Sequence, residues 1–201
     1  MNEVEYDKLL NIQTIEEQKG FNDSVHYHRY EATPYNHLAI LTCNYEITSS
    51  HKVIDVGCGK GRLNLYLHHH YQIPVTGIEQ NEGFIRKAEE NSQSYMKKHT
   101  NSSSEKIQFF HGLAEAYPIQ SDDNCFYFFN PFSVQIFRSF VQKILLSWEM
   151  NSRKIDVILY YPDDEYVYFL QTSTPLKFVK EIELPRYKKD IRERFIIFTI
   201  D

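Results

Sequence analysis

The chain has 201 residues, of which 42% are hydrophobic and 24% are charged, a length that suits one large domain and is short for two. Its formal net charge of -5 argues against extended nucleic-acid binding but leaves room for a local basic patch. Three cysteines, without metal-type spacing, are typical of a reducing compartment. No stretch approaches the roughly 20 apolar residues of a membrane span, and residues 1–6 do not resemble a secretory signal. We therefore expect a cytoplasmic protein without a membrane partner.

The N-terminal region predicts helices. Residues 1–25 carry a partial apolar face, and Thr33 followed by Pro34 marks a helix start, because threonine caps a helix and proline suits its first turn. We interpret residues 1–42 as a helical extension of a single domain that spans residues 1–201. Such an extension either covers a ligand pocket or packs beside the rest of the domain.

The most informative stretch runs from Val53 to Arg62. Val53 to Val56 predict a short buried strand, and three alternate glycines then lead into a helical pattern. A strand, a glycine turn and a helix together place a helix N-terminus against a ligand. A dinucleotide-binding turn requires Gly-x-Gly-x-x-Gly, whereas here Arg62 stands at the position of the third glycine. The pattern present is Asp-x-Gly-x-Gly-x-Gly, from Asp55 to Gly61.

Further strands and helices alternate along the rest of the chain. Apolar runs predict strands over residues 75–79, 107–110, 125–129 and 155–161, with helices over 60–70, 82–98 and 137–148. Two β-rich runs, 178–184 and 193–200, are joined by a short connection that implies an antiparallel pair. His68, His69 and His70 end the first of these helices. Because consecutive helical side chains point about 100° apart, we predict solvated, cationic histidines rather than metal ligands.

With these elements, the chain resembles the class I S-adenosylmethionine-dependent methyltransferases, whose first motif has the form Asp-x-Gly-x-Gly-x-Gly. The resemblance covers residues 27–201 and extends to a small uncharacterised bacterial group. It implies an α/β fold: a Rossmann-like, seven-stranded, mostly parallel sheet with helices on both faces and a C-terminal antiparallel hairpin. It also implies S-adenosylmethionine as the cofactor.

The same resemblance implies cofactor contacts. They are Asp55, Gly57, Gly59 and Gly61 at the methionine end, Glu79 at the ribose hydroxyls and the Ala114 backbone amide at the adenine. Leu113 stands where many relatives have an aspartate, which leaves Glu115 as a substitute acceptor. Tyr27, Tyr30 and Tyr35 are candidates for a cation–π contact with the sulfonium; the alternative is that they are core tyrosines.

The acceptor side is predicted from Asn130-Pro131-Phe132-Ser133. This sequence resembles the Asn-Pro-Pro-Tyr/Phe motif of N-methyltransferases but lacks one proline. The resemblance implies that Asn130 and Phe132 act in catalysis and that Asn130 also contacts the cofactor. The alternative is a polar strand end followed by a helix start.

We therefore predict an enzyme that transfers a methyl group from S-adenosylmethionine to an unidentified acceptor, with a nitrogen favoured by the Asn-Pro-Phe motif. An NAD-dependent oxidoreductase and a non-catalytic S-adenosylmethionine-binding protein are the alternatives. Basic residues near the C-terminus contact an acidic substrate or form a solvated hairpin tip: Arg186, Lys188, Lys189, Arg192 and Arg194.

Overall fold

The computed structural model describes residues 2–15, 30–100 and 106–201. Tyr27 and part of the predicted N-terminal extension lie outside these ranges. The strands are β1 (Val53–Val56), β2 (Val75–Glu79), β3 (Ile107–His111), β4 (Cys125–Phe128), β5 (Ile155–Tyr160), β6 (Lys177–Glu183) and β7 (Arg194–Ile200). The helices are α1 (Glu3–Leu10), α2 (Tyr35–Asn44), α3 (Arg62–Tyr71), α4 (Glu82–Lys98), α5 (Val134–Met150) and α6 (Asp164–Ser173), with a 3₁₀ turn at Ala114–Ala116.

The seven strands form one sheet in the order β3-β2-β1-β4-β5-β7-β6. The first five strands in this order are parallel, and β7 pairs antiparallel to both β5 and β6. Short glycine-containing turns and crossover helices connect the parallel strands, as parallel pairing requires. The predicted sheet with its C-terminal hairpin is confirmed.

Each face of the sheet has its own hydrophobic core. On one face, α5 and α6 cover aromatic side chains of β4, including the fully buried Phe126 and Phe128. On the other face, α1 to α4 pack over Val53, Tyr127 and Ile158. Strands covered on both faces read as continuous apolar runs, which is why β4 and β5 are recognisable in the sequence. None of the described helices has the length and apolar character to cross a membrane.

The N-terminal segment is fixed beside the glycine turn by Arg62. The buried Arg62 guanidinium donates to Thr14 Oγ1 at 2.7 Å and to Glu3, and it lies 4.5 Å from the ring centroid of Tyr35. Asn91 on α4 holds the same segment from the other side, because its Oδ1 accepts from the Gln13 N–H at 2.9 Å. Residues 2–15 are therefore packed against the start of α3 and one side of α4.

Two local predictions need correction. His68 is fully buried and its Nδ1 lies 2.9 Å from the Ile73 carbonyl oxygen, while burial lowers the pKa of all three consecutive histidines. The prediction of a solvated, cationic side chain was therefore wrong for His68, whereas His69 is half-buried and His70 is exposed. Helix α6 was not predicted, although Asp163 accepts from the Glu165 N–H and caps it.

In the described part of the chain, no group of three acidic, histidine or cysteine side chains is arranged to hold a metal ion.

Candidate functional site

A cavity of about 270 Å³ opens at the carboxyl ends of β1, β2 and β4, the edge at which open α/β sheets bind ligands. Its volume lies near the lower end of the roughly 300–1,000 Å³ typical of ligand pockets. Lining residues include Tyr30, Gly57, Glu79, Phe84, Ala114, Asn130 and Phe132. Six of the residues predicted from the sequence therefore meet at one cavity.

The glycine turn after β1 uses backbone conformations that favour glycine. Gly57, Gly59 and Gly61 have φ angles of 86°, 53° and 79°, in the left-handed region that side chains with a Cβ rarely adopt. A Cβ at Gly57 would lie 2.7 Å from Pro131 Cβ. Gly57 thus allows the turn after β1 to approach the loop after β4, and it lines the cavity.

Gly59 and Gly61 lie outside the cavity lining. A Cβ at Gly59 would lie 2.1 Å from the Tyr30 ring, and one at Gly61 would lie 3.0 Å from the Phe109 ring. Tyr30 is itself held in place, because its hydroxyl donates to the Thr14 carbonyl oxygen at 3.0 Å. Tyr30 therefore covers the centre of the turn, and the cofactor contacts predicted at these two glycines stay predictions.

Glu79, at the end of β2, joins the turn to the cavity. Its Oε2 accepts from the Gly59 N–H at 3.0 Å, and its Oε1 accepts from the Asn81 N–H at 2.8 Å. Burial raises the pKa of this carboxyl. The two backbone donors fix the plane of the carboxylate at the cavity wall, as a residue that binds ribose hydroxyls requires.

Asp55 lies beneath the turn; it does not line this cavity, but it lines a smaller one of about 20 Å³ that shares Gly57 and Phe129 with it. Burial, together with the nearby Glu79 charge, raises the pKa of its carboxyl to about 8. With its amide nitrogen turned toward Asp55, Asn64 donates to Asp55 Oδ2 at 2.9 Å and accepts from the Gly77 N–H at 3.2 Å. Asp55 therefore connects β1 to α3 and β2, so its effect on a ligand passes through the turn.

The loop after β3 forms another part of the wall. The Gly112 N–H donates to the Glu79 carbonyl oxygen at 3.0 Å, and the chain then turns into the 3₁₀ segment that begins at the buried Ala114. Leu113 is 49% exposed and, like Glu115, does not line the cavity. Ala114, between these two residues, does line the cavity.

Asn130 and Phe132 follow β4 on the opposite wall. Asn130 has a φ angle of 39°, which asparagine tolerates better than most residues. The ring of Phe132 is buried and packs against Phe128 at a centroid distance of 6.4 Å. The Tyr166 hydroxyl donates to the Phe132 carbonyl oxygen, so helix α6 positions this loop.

Tyr35, a predicted sulfonium contact, lies away from the cavity. Its ring stacks on Tyr6 at a centroid distance of 4.3 Å, and its hydroxyl donates to Asp7 Oδ1 at 2.6 Å. It is thus a core tyrosine, the alternative that the sequence left open. Phe84 and Phe129 also line the cavity, although the sequence did not single them out. Phe129 is the last residue of the strand predicted over 125–129, and Phe84 lies in the first turn of the helix predicted over 82–98; these positions were the available signal.

Comparison with known proteins agrees with this geometry. Residues 53–147 match the family model described as a methyltransferase domain. This match spans the glycine turn, Glu79, Ala114 and Asn130. No curated protein matches the chain by sequence.

Several solved structures share the fold. An RNA methyltransferase from Salinibacter ruber, in complex with S-adenosyl-L-homocysteine, is 17% identical, with a TM-score of 0.56 over 85% of this chain and 94% of that chain. A SAM-dependent methyltransferase from Thiobacillus denitrificans, bound to the same molecule, is 13% identical, with a TM-score of 0.52 over 82% and 90%. The Pyrococcus abyssi tRNA (uracil-54, C5)-methyltransferase is 13% identical, with a TM-score of 0.57 over 86% and 40%.

Residues 53–147 of the chain are therefore similar to a methyltransferase domain, and the chain shares its fold with solved methyltransferases. The glycine motif lies at the β1–α3 turn, and the antiparallel β7 inserted between β5 and β6 completes the sheet. The NAD-dependent oxidoreductase considered from the sequence is not favoured.

Proposed function

We propose that this protein is a methyltransferase that binds S-adenosylmethionine in the cavity between the loops after β1, β2, β3 and β4. The Gly57 backbone faces the methionine end, the Glu79 carboxylate accepts hydrogen bonds from the ribose hydroxyls, and the Ala114 amide contacts the adenine. The observation that carries this assignment is the fixed Glu79 carboxylate, whose two backbone donors orient it at the wall of the cavity.

The residues present fit such a ligand. The cavity is lined by the Gly57 backbone, the oriented Glu79 carboxylate and the small side chain of Ala114. Each charge-assisted hydrogen bond to a carboxylate contributes about 1.5–3 kcal/mol. Tyr30 and Phe84 lie with ring centroids 4.8 Å apart at the same cavity. We assign to Tyr30 the contact with the cationic sulfonium that the resemblance implies, beside Lys60, whose Nζ lies 5.1 Å from the Tyr30 ring centroid.

We assign Asn130 and Phe132 to the acceptor side, with a nitrogen as the methylated atom. When bound, S-adenosylmethionine supplies a methyl group on a positively charged sulfur. The Asn130 side chain orients the acceptor amine, and the buried Phe132 ring helps to exclude water from its surroundings. Positioning and desolvation then supply most of the rate enhancement.

Calorimetry tests the cofactor assignment. S-adenosylmethionine and S-adenosylhomocysteine should bind, whereas NAD should not. Gly57→Ala should abolish binding, because its Cβ would meet Pro131 at 2.7 Å in a backbone conformation with φ of 86°. Binding of NAD in place of the two nucleosides, or unchanged affinity in a folded Gly57→Ala protein, would contradict the proposal.

Asn130→Asp tests the acceptor assignment. This variant keeps the side-chain shape, the oxygen acceptor and the tolerance of the left-handed backbone, but its negative charge stabilises the protonated form of the amine, which has no lone pair to accept the methyl group. We expect transfer of labelled methyl groups to a fractionated cell extract to fall at least 100-fold, with S-adenosylhomocysteine affinity changed less than threefold. Equal transfer by both proteins would remove Asn130 from the acceptor site. A wild-type protein that binds the nucleosides but labels no fraction would favour the non-catalytic alternative.

A further inference from the structure

The connection between β6 and β7 lies on the same edge of the sheet as the cavity. In the antiparallel pairing of β5 with β7, Tyr160 at the end of β5 is opposite Phe195 at the start of β7. The loop of residues 185–192 therefore extends from the carboxyl edge of the parallel strands. We call these residues the basic loop.

The basic loop concentrates positive charge on an acidic protein. Its charged residues are Arg186, Lys188, Lys189, Asp190 and Arg192, four basic and one acidic, while the whole chain carries a net charge of -5. Lys188 and Lys189 are exposed and form no ion pair with any residue in the described ranges. The Arg186 side chain is 72% exposed. These groups are available to a partner in solution.

Several acidic groups lie close to the loop or the cavity, among them Glu31 in the cavity lining, and some of them pair with the basic residues. Glu193 lies 3.8 Å from Arg186, and Asp190 lies 3.5 Å from Arg192. At the start of α6, Asp164 lies 3.6 Å from Arg194. These ion pairs involve the arginines, so Lys188 and Lys189 are the basic residues of the loop without an acidic partner among the described residues.

Aromatic side chains connect the basic loop to the cavity. Phe129, in the cavity wall, lies 6.5 Å from Tyr161 between ring centroids. The Arg192 guanidinium lies 4.5 Å from the Tyr161 ring centroid, and its NH2 donates to the Tyr161 hydroxyl at 2.9 Å. Tyr161 has a φ angle of 49°, and its hydroxyl donates to Asp190. From the cavity to the loop, the surface therefore presents first the aromatic rings of Phe129 and Tyr161 and then the basic side chains of the loop. Hydrogen bonds and ring contacts fix Tyr161 and Arg192 in place.

We propose that this surface binds a single-stranded nucleic acid and that the methyl acceptor is one of its bases. Single strands are recognised by cations along the phosphate backbone and by aromatic rings against the bases, the two features found here in sequence from the loop to Phe129. An acidic protein segment would pair with the basic side chains, but it would not require the aromatic rings that lie between the loop and the cavity. The proposal rests on the proposed function, because the base must reach Asn130 beside the cofactor cavity.

Fluorescence anisotropy with labelled 20-nucleotide single strands, one of RNA and one of DNA, tests the docking surface. In the double variant Lys188→Glu/Lys189→Glu, we expect affinity at least tenfold weaker than in the wild type. The dependence of log affinity on log salt should become shallower by about 0.7 for each phosphate that the variant no longer neutralises. The matched control is Lys97→Glu/Lys177→Glu, which reverses two exposed lysines at the end of α4 and the start of β6 and should bind as the wild type does.

Calorimetry with S-adenosylhomocysteine separates failure of this inference from failure of the proposed function. Unaltered nucleoside affinity with weakened strand binding in the loop variant supports the docking surface. If the wild type binds S-adenosylhomocysteine but neither strand, or if both double variants bind the strands equally, the docking inference is wrong and the cofactor assignment stands. Binding of labelled polyglutamate together with no strand binding would contradict the docking inference and favour an acidic protein instead. A wild type that fails to bind the nucleoside would overturn the proposed function on which the inference depends.

Discussion

At the scale of single residues, Glu79 has a structural role in the glycine turn and, in the proposed function, also binds the ribose. Its carboxylate accepts from the Gly59 and Asn81 backbone N–H groups, so it orders the glycine turn before any ligand arrives. A substitution at this position therefore changes both the turn and the ribose contact. The two effects can be separated, because thermal stability of the protein without ligand reports on the turn alone.

Glu79→Gln should weaken S-adenosylhomocysteine binding at least tenfold, which is about 1.4 kcal/mol. The amide keeps the volume of the side chain but loses the charge and one acceptor, so we also expect a lower melting temperature without ligand. Calorimetry and thermal melts measure the two effects. Glu82→Gln, at the exposed start of α4, is the control and should match the wild type. An unchanged affinity in Glu79→Gln would remove this residue from the site.

Asp55 should make stability dependent on pH. Burial raises the pKa of its carboxyl from 3.8 to about 8, so between these pH values the folded protein holds a proton that the unfolded chain has released. The free energy of unfolding should therefore fall as pH rises toward 8 and level off above it. In Asp55→Asn, melting temperatures measured from pH 5 to pH 9 should fall less steeply, with a remainder from Glu79, whose pKa is also raised. Equal slopes in both proteins would contradict this assignment.

At the scale of elements, Arg62 explains how residues 2–15 are attached. Its guanidinium donates to Thr14 and Glu3, and it also donates to the Thr33 carbonyl oxygen at 3.3 Å. Thr14 in turn accepts the hydroxyl of Tyr30, which covers the glycine turn. The packing of the N-terminal segment and the shape of the cofactor site are therefore linked through one buried arginine.

Arg62→Ala should lower the free energy of unfolding by about 3 kcal/mol, because it leaves buried acceptors without their donor. Urea denaturation measures the change. Arg86→Ala on the exposed side of α4 is the matched control and should cost less than about 0.5 kcal/mol. If both variants lose the same stability, the contacts of Arg62 with the N-terminal segment contribute little.

At the scale of the whole molecule, the sheet order brings the site together. β1 lies between β2 and β4, so the glycine turn, Glu79 and Asn130 emerge beside one another although 73 positions separate the first glycine from Asn130. The loops that carry these residues pack on one another: Gly57 on Pro131, and Gly59 on Glu79. A ligand that contacts all of them should stabilise the complete fold.

S-adenosylhomocysteine at 100 times its Kd should therefore raise the free energy of unfolding by about 2.7 kcal/mol. For a chain of this length each kcal/mol shifts the melting temperature by about 2–4 °C, which gives an expected rise of about 5–10 °C. Differential scanning calorimetry measures the shift, and NAD at the same concentration should produce none. A shift with NAD alone would contradict the cofactor assignment.

The amino-acid pattern alone was sufficient for the fold and the cofactor class. Alternating apolar runs define the strands, and the spacing of Gly57, Gly59 and Gly61 favours a methyltransferase turn over a dinucleotide turn, because both signals are local in sequence. The packing of distant segments determined the rest: Tyr30 covers Gly59, Tyr35 lies in the core with Asp7, and Asp55 supports the turn from below. Contacts across many residues depend on how the N-terminal segment docks on α3 and α4, and local spacing carries no information about that docking.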